Sequence, residues 1–487
     1  MGPVSFSRLS FDDRSEALDA ARRLTAAGIR VQSADDTSIL IRSDDQRAAE
    51  QLLAELVIPS PRPVEPLDRP FDADVSLPGS KSHTNRALLC AALADGRSTL
   101  SRVLLADDTR AMLDSLDRLG VGMTVDDRRD PDVVVTVEGC GRGFVSENGP
   151  LLLDVRQSGT TGRFLVPTLA AGRGSFIVDG HVQLRNRPFV QQVEALTALG
   201  ADIEGTALPL RIKGRKLRGG RVTVPGDVSS QFLSGLLLAA PLFETDTVFE
   251  LGAELVSRPY VELTVHTMAA FGVDVDVDAD FGIGRFVVPA VGYRPAEVDL
   301  EPDASAASYF FAAAAMTGST VRVEGLGRST VQGDLGFVDL LARMGAQVEV
   351  ADDHTTVTGT GHLVGITADM ADISDTAQTM AVVAACAEGP TEITGIGFVR
   401  HKETDRIAAP VAELQRLGIR AEPTEDGFVV HPGPISPGVV QTYDDHRMAM
   451  SFALLGLVHS GVAIENPNCV DKTFPRFFDV LDSLRPT

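Results

Sequence analysis

The stretch Pro78-Gly79-Ser80-Lys81-Ser82-His83-Thr84-Asn85-Arg86 joins a backbone break, several hydroxyls and two cations, just ahead of an apolar run from Ala87 to Ala94. Leu88, Leu89, Ala92 and Leu93 fall at helical spacing, so the phrase reads as a helix start. Backbone N–H groups at a helix start lack partners and carry partial positive charge, which suits a phosphate or carboxylate. Lys81 and Arg86 would close on that anion from two sides. Alone, the stretch favours anion binding only modestly, because Ser and Thr are ordinary helix caps.

Similar starts recur along the chain. Gln157-Ser158-Gly159-Thr160-Thr161-Gly162-Arg163 precedes apolar residues from Phe164 to Ala171, and Val228-Ser229-Ser230-Gln231-Phe232 precedes Leu233 to Ala240. Asp303 to Ser308 opens an Ala-rich helix, and Tyr443-Asp444-Asp445-His446-Arg447-Met448 opens another. The small residues around Gly159 allow a ligand to approach the backbone closely, without Walker spacing. Several cationic or hydroxyl-rich starts together point to a substrate with several negative charges. Charge-assisted hydrogen bonds contribute ~1.5–3 kcal/mol each, enough for four or five to hold a small polyanion.

The elements that carry these phrases repeat. An amphipathic helix ending in glycine and followed by an alternating strand recurs at Gly120, Gly200, Gly272, Gly345 and Gly418, with intervals of 80, 72, 73 and 73 residues. A glycine there is the expected left-handed cap between helix and strand. Residues 461–484 read as a sixth, truncated copy. Ahead of each repeat helix stands a polar phrase: Asp107 to Arg110, Arg185 to Pro188, Ser257 to Tyr260, Gln332 to Asp334, His401 to Arg406 and Asp471 to Pro475. Asp107, Asp334 and Asp471 read as ordinary helix-start acids. Arg187, Lys402, Arg406 and Lys472 oppose the helix dipole, so another partner is expected for them.

Composition narrows the classes. With 44 Lys and Arg against 67 Asp and Glu, the 487-residue chain carries a net charge of −23, which argues against nucleic acid or an anionic membrane as partner. The four cysteines and nine histidines show no metal-ligand spacing, so no metal site is expected. No signal-like start and no apolar run of the ~18–20 residues that a spanning helix needs is present, so a cytoplasmic location is expected. Residues 1–58 read as a small separate α+β unit, with strands at Val4 to Phe11, Ile29 to Val31 and Ser38 to Ile41. Its helices are expected at Ser15 to Ala27 and around Ala49 to Leu56. Pro59, Pro61, Pro63, Pro66 and Pro70 make residues 59–70 a stiff linker.

From about residue 71 to the end, these phrases in this order resemble the 5-enolpyruvylshikimate-3-phosphate synthase (3-phosphoshikimate 1-carboxyvinyltransferase) family of enolpyruvyl transferases. The matching phrases are Pro78 to Ser82 with Asn85-Arg86-Ala87, Ser158 to Arg163, Arg187-Pro188, Val228 to Phe232, Lys402 to Arg406, Asp445 to Ala449 and Lys472 to Pro475. The resemblance implies a two-domain inside-out, barrel-like α/β fold of six repeated units. One domain would span 80–300, and the other 71–79 with 301–487. It implies transfer of the enolpyruvyl group of phosphoenolpyruvate to the 5-hydroxyl of shikimate 3-phosphate, without a cofactor, in a protein expected to be monomeric. It assigns Lys81, Gly159, Arg163, Arg187, Arg406, Arg447 and Lys472 to phosphoenolpyruvate. Ser82, Arg86, Ser229, Ser230, Gln231, Ser257, Tyr260, Asp375 and Lys402 fall to shikimate 3-phosphate. The resemblance also implies that Asp375 takes the proton of the 5-hydroxyl. Glu403 delivers one to carbon 3, with Lys81 and His446 as the other candidates, and His446 also reads as a structural histidine.

Two positions depart from the family pattern. Phe398 stands where many members carry Asn, and Gln183 where many carry Arg. Two rival readings are a transferase acting on a nucleotide or nucleotide-sugar acceptor, and a non-catalytic binding homologue. Lys81-Ser82 in place of a Lys-Asn pair, the absence of a comparable loop cysteine and the retained Ser229-Ser230-Gln231 argue against the first. Retention of Asp375, Glu403 and Lys472 argues against the second.

Overall fold

The computed structural model describes residues 6–10, 24, 31–34, 38–42 and 60–485, except 130, 142 and 279–283. The chain divides into two compact units, residues 1–62 and 63–487. In the first, β1 (Phe6–Ser10), β2 (Val31–Ala34) and β3 (Ser38–Arg42) form an antiparallel sheet in the order β1-β3-β2. Leu24 and Ile39 are buried there. The rest of the two helices expected in this unit lies outside the described residues.

The second unit is built from six small sheets, one for each repeat read in the sequence. In the second of them, Gly174–Asp179 pairs in parallel with Leu151–Asp154 and antiparallel with Leu210–Gly214, which pairs in turn with Asp202–Glu204. Two sheets borrow their parallel edge from elsewhere in the chain. Glu297–Asp299 completes the sheet of Arg97–Ser101, and β5 (Asp72–Asp74) completes that of Thr320–Glu324. The truncated sixth copy borrows too: β4 (Arg62–Val64) joins Val462–Ile464 and Gly438–Val440. That strand corrects the reading of residues 59–70 as a linker only. A proline is tolerated in it because β4 lies at the sheet edge, where a missing N–H costs nothing. The repeated glycines at 120, 200, 272, 345 and 418 all take φ between 79° and 112°, as a left-handed helix cap requires.

The sheets lie outside and helices fill the middle. α1 (Lys81–Leu93), α2 (Asp107–Arg118), α3 (Gly159–Ala170), α4 (Ser230–Ala239) and α5 (Pro259–Ala270) belong to one half of the unit. α6 (Ala304–Thr317), α7 (Ala377–Ala385) and α8 (His446–Val458) belong to the other. All twelve residues of α3 are buried, and α1, α4, α6, α7 and α8 are buried almost all round, which is how a central helix reads. Two separate apolar cores result, one built from residues 87–300 and one from 64–77 with 304–484. The chain passes between them at Gly79 and Pro302, which face each other in a two-stranded bridge. Ser80 N–H donates to the Glu301 carbonyl at 2.8 Å and Asp303 N–H to that of Pro78 at 3.0 Å.

Candidate active site

The central helices start at the cleft between the two cores. Ser80, Ser158, Ser229, Asp303 and Asp445 cap α1, α3, α4, α6 and α8, each side chain accepting a backbone N–H of the first turn. Three of the hydroxyls read from the sequence, Ser80, Ser158 and Ser229, are therefore caps, and the cations beside them line two adjoining cavities. The larger, about 70 Å³, is lined by Lys81, Asp108, Gly159, Thr160, Arg163, Arg187, Ser229, Gln231, Asp375, Phe398, Lys402, Glu403 and Arg406 among others. The smaller, about 20 Å³, is lined by Lys81, Ser82, Tyr260, Asp303, Ser305, Gln332, Asp334 and Arg447 among others. Lys81 belongs to both.

Three carboxylates organise the cations. Glu403 meets Arg406 Nη2 at 2.6 Å, Arg187 Nη2 at 3.2 Å and Lys472 Nζ at 4.0 Å. Asp375 meets Arg447 Nη2 at 2.6 Å and Arg406 Nη1 at 3.0 Å. Asp108 accepts from Lys472 Nζ at 2.7 Å and lies 3.5 Å from Lys81 Nζ. Arg406 Nε is tied to Asp445 at 3.0 Å. Burial alone would raise the carboxyls of Glu403 and Asp375, but the facing cations outweigh it. Arg187, Arg406 and Lys472 hold Glu403 well below the usual range, and Arg447, Lys402 and Arg406 do the same for Asp375. Both are carboxylates at neutral pH.

The cations are not all satisfied by these acids. Arg163 stacks between Phe189 and Phe232, with ring centroids at 5.3 and 5.2 Å, and donates to Gln231 Oε1 at 2.9 Å. Its Nε and that of Arg187 are buried with no acceptor among the described residues. Burial, with Arg187 nearby, lowers Arg163 to about 9. Burial likewise lowers Lys402 to about 8, against the raising effect of Asp375.

Most of the expected site residues meet here, and a few stand back. Ser230 is buried as the first residue of α4, behind Ser229. Ser257 takes a left-handed φ of 50° and brings its Oγ to 3.4 Å from that of Ser374. Arg86 does not reach either cavity. The residue is 1% exposed, and its guanidinium packs 5.0 Å from the Phe164 ring and donates to Thr264 Oγ1 at 2.7 Å, the Ser82 carbonyl at 2.8 Å and the Tyr260 carbonyl at 2.9 Å. It braces two lining residues from behind. His446 is fully buried, with Asp445 Oδ1 3.5 Å from its Nδ1 and no hydrogen-bond partner for either ring nitrogen among the described residues, and burial holds it neutral, far below its usual range. Asp108, Asp334, Thr160 and Ser305 line the site without having been singled out as ligands. Asp108 and Asp334 both stand in the polar phrases before repeat helices, and that shared position was the available signal.

The family profile described as EPSP synthase (3-phosphoshikimate 1-carboxyvinyltransferase) matches residues 68–481. The chain belongs to the EPSP synthase family. A 3-phosphoshikimate 1-carboxyvinyltransferase of Nostoc punctiforme is 42% identical over 425 residues, covering 85% of this chain and 98% of that protein. One of Aliivibrio salmonicida is also 42% identical, over 428 residues, covering 86% and 98%. The structure of an EPSP synthase from Acinetobacter baumannii superimposes with a TM-score of 0.74 at 27% identity, covering 88% of this chain and 99% of that one. The inside-out α/β architecture is thus that of EPSP synthases. The family match begins at residue 68, so of the two borrowed N-terminal strands β4 lies ahead of it and β5 within it. Of the two departures, Phe398 lines the larger cavity, whereas Gln183 lines neither. Among the described residues, no helix is long and apolar enough to cross a membrane.

Proposed function

We propose that this protein transfers the enolpyruvyl group of phosphoenolpyruvate to the 5-hydroxyl of shikimate 3-phosphate, releasing phosphate. One observation carries most of the weight: buried arginine Nε groups at Arg163 and Arg187, beside a lowered Lys402, have no acceptor among the described residues. Donors left unpaired in a buried site are costly unless an anion fills them. Family membership supplies which anions. Arg163, Arg187, Arg406 and Lys472 with the Gly159 backbone hold phosphoenolpyruvate, Arg447 facing its reacting end from Asp375. Ser229, Ser230, Gln231, Ser257, Tyr260 and Lys402 hold shikimate 3-phosphate, with Ser82 beside them and Arg86 positioning Ser82 and Tyr260.

Asp375, ionised, is the base for the 5-hydroxyl. As that oxygen bonds to carbon 2, carbon 3 takes a proton from Glu403; the adduct then loses phosphate as carbon 3 returns a proton to the Glu403 carboxylate, which restores the carbon–carbon double bond. Glu403 must first gain that proton. The phosphate and carboxylate of phosphoenolpyruvate compete for Arg187 and Lys472, and each cation drawn away from Glu403 raises its carboxyl. Lys81, shared by both cavities, stands beside the forming bond. His446, buried and neutral, is assigned a structural role. The chemistry is acid–base and electrostatic, so it needs no cofactor.

The two apolar cores are proposed as two domains, 80–300 and 71–79 with 301–487, which close on the substrates. A cytoplasmic monomer belongs to the same reading. The test is phosphate release from phosphoenolpyruvate with shikimate 3-phosphate, and separately with uridine nucleotides, as acceptor. Turnover with the former alone is expected. None with shikimate 3-phosphate at millimolar concentration sinks the assignment.

A further inference from the structure

Tyr260, at the start of α5, turns its hydroxyl between two carboxyls, with Asp334 Oδ2 at 2.9 Å and Asp375 Oδ2 at 3.2 Å. One phenolic proton cannot be donated to both. The neighbours set the two acids apart. Asp375 has two guanidinium partners, Arg447 and Arg406, and a proton placed on it forfeits both ion pairs. Among the described residues, Asp334 receives only hydroxyl donors, Tyr260 and Ser305. Its Oδ1 is buried without a partner among the described residues, and the carboxyl lines the 20 Å³ cavity, room for about one water. A neutral carboxyl is therefore tolerated at Asp334 and penalised at Asp375. Pairs of acids with environments that differ in this way divide a proton's path between them.

We propose that Asp334 is the far end of a proton relay, receiving through Tyr260 the proton that Asp375 takes from the acceptor hydroxyl; the inference rests on the transferase reading above. As the oxygen–carbon 2 bond forms, the hydroxyl O–H bond breaks and its proton lands on Asp375 Oδ2. Asp375 gives that proton to Tyr260 Oη while Tyr260 passes its own to Asp334 Oδ2. The phenol ends neutral, Asp375 is again a carboxylate beside its two arginines, and Asp334 exchanges its proton with water in the small cavity. Tyr260 and Asp334 touch no reacting atom in this scheme and act through Asp375.

The relay gives turnover a pH signature. Burial and the Asp375 charge push Asp334 up to about 6, against Arg447 and the hydroxyl donors. Lys81 and Asp303 face the same cavity. Asp334 must be ionised to accept, so kcat falls as pH drops through that value. Phosphate release is measured from about pH 5 to pH 8 for the full-length protein and for Asp334→Asn, Asp334→Glu and Tyr260→Phe. The expected result for Asp334→Asn and Tyr260→Phe is a kcat lower by about tenfold or more at neutral pH, with KM for phosphoenolpyruvate within about threefold. The acid limb near pH 6 disappears in both and is shifted, not lost, in Asp334→Glu. Tyr260→Phe removes only an oxygen, and keeps the test open where Asp334→Asn does not fold. Wild-type kcat and an unchanged acid limb in either variant overturn the relay alone. No turnover by the wild-type protein overturns the transferase reading together with it.

Discussion

Adding one methyl group at Gly159 should separate the fold from the site. Gly159 is the first residue of α3 and takes no left-handed backbone, so alanine suits its conformation and is worth up to about 1 kcal/mol to the helix. The new Cβ would lie 2.7 Å from Arg163 Nη1, 3.1 Å from Arg187 Nη1 and 3.6 Å from Leu184 Cδ1. Ordinary contact begins near 3.4 Å, so the first guanidinium must retreat by roughly 0.7 Å and the second by roughly 0.3 Å. Both are ends of flexible side chains, so the backbone stays in place while the anion seat shifts. Each charge-assisted hydrogen bond is worth ~1.5–3 kcal/mol, and weakening one or two costs ~1–3 kcal/mol of binding. At 1.4 kcal/mol per tenfold, KM for phosphoenolpyruvate should rise by about 5- to 150-fold. Steady-state kinetics with each substrate varied, alongside a thermal melt, checks it. KM for shikimate 3-phosphate should move little and Tm should hold or rise. An unchanged KM for phosphoenolpyruvate, or a Tm lower by several degrees, refutes the placement of Gly159 beside the anion.

Three further outcomes are expected. Gly79→Ala would set a Cβ 1.7 Å from the Arg102 carbonyl oxygen, a rigid backbone atom at the crossover. It should destabilise by about 3 kcal/mol or more, read as a large fall in Tm. Glu403→Gln removes one anion from the cage of Arg187, Arg406 and Lys472, so calorimetry should show phosphoenolpyruvate binding retained or tightened while kcat falls by about 100-fold or more. Because Glu403 is held below its unfolded value, it contributes stability above about pH 4 that is lost as pH falls, and the variant's acid unfolding should start from a lower plateau. Deletion of residues 1–58 should leave a folded, active protein, whereas deletion of 1–68 removes β4 and should give a lower Tm or insoluble protein.

The repeat was legible because each unit ends its helix in a glycine that the backbone needs, and that need is local. The helix starts were legible for the same reason, since Ser158 and Ser229 cap whatever ligand follows. Where the Arg86 side chain turns depends on helix geometry. Five residues on a helix turn about 500°, leaving Lys81 and Arg86 some 140° apart, so one faces the cleft and the other the Thr264 side. Asp334 and Asp108 were hidden because an acid at a helix start is favourable wherever the helix points; only the fold reveals that these starts face Tyr260 and Lys472. The strand in residues 62–64 escaped notice because two prolines in five residues outweigh a three-residue edge pairing to a partner near the other end of the chain.

The borrowed strands also set a timetable for the nascent chain. Residues 80–300 contain every strand of three sheets, so that core can assemble while the ribosome is still at work. β5 must wait for its partner at Thr320–Glu324, and the Phe71 N–H for Ser319, 248 residues later. β4 waits longer still, for Val462–Ile464, and the carbonyl of Glu65 finds Arg485 across 420 positions. β5 finds its partner once Thr320–Glu324 is made, whereas β4 stays unpaired beside a finished half-molecule until Val462–Ile464 follows. Such late, distant pairings are slow and leave sticky surface exposed, so the newly made protein is most vulnerable in the interval before Val462–Ile464 is made.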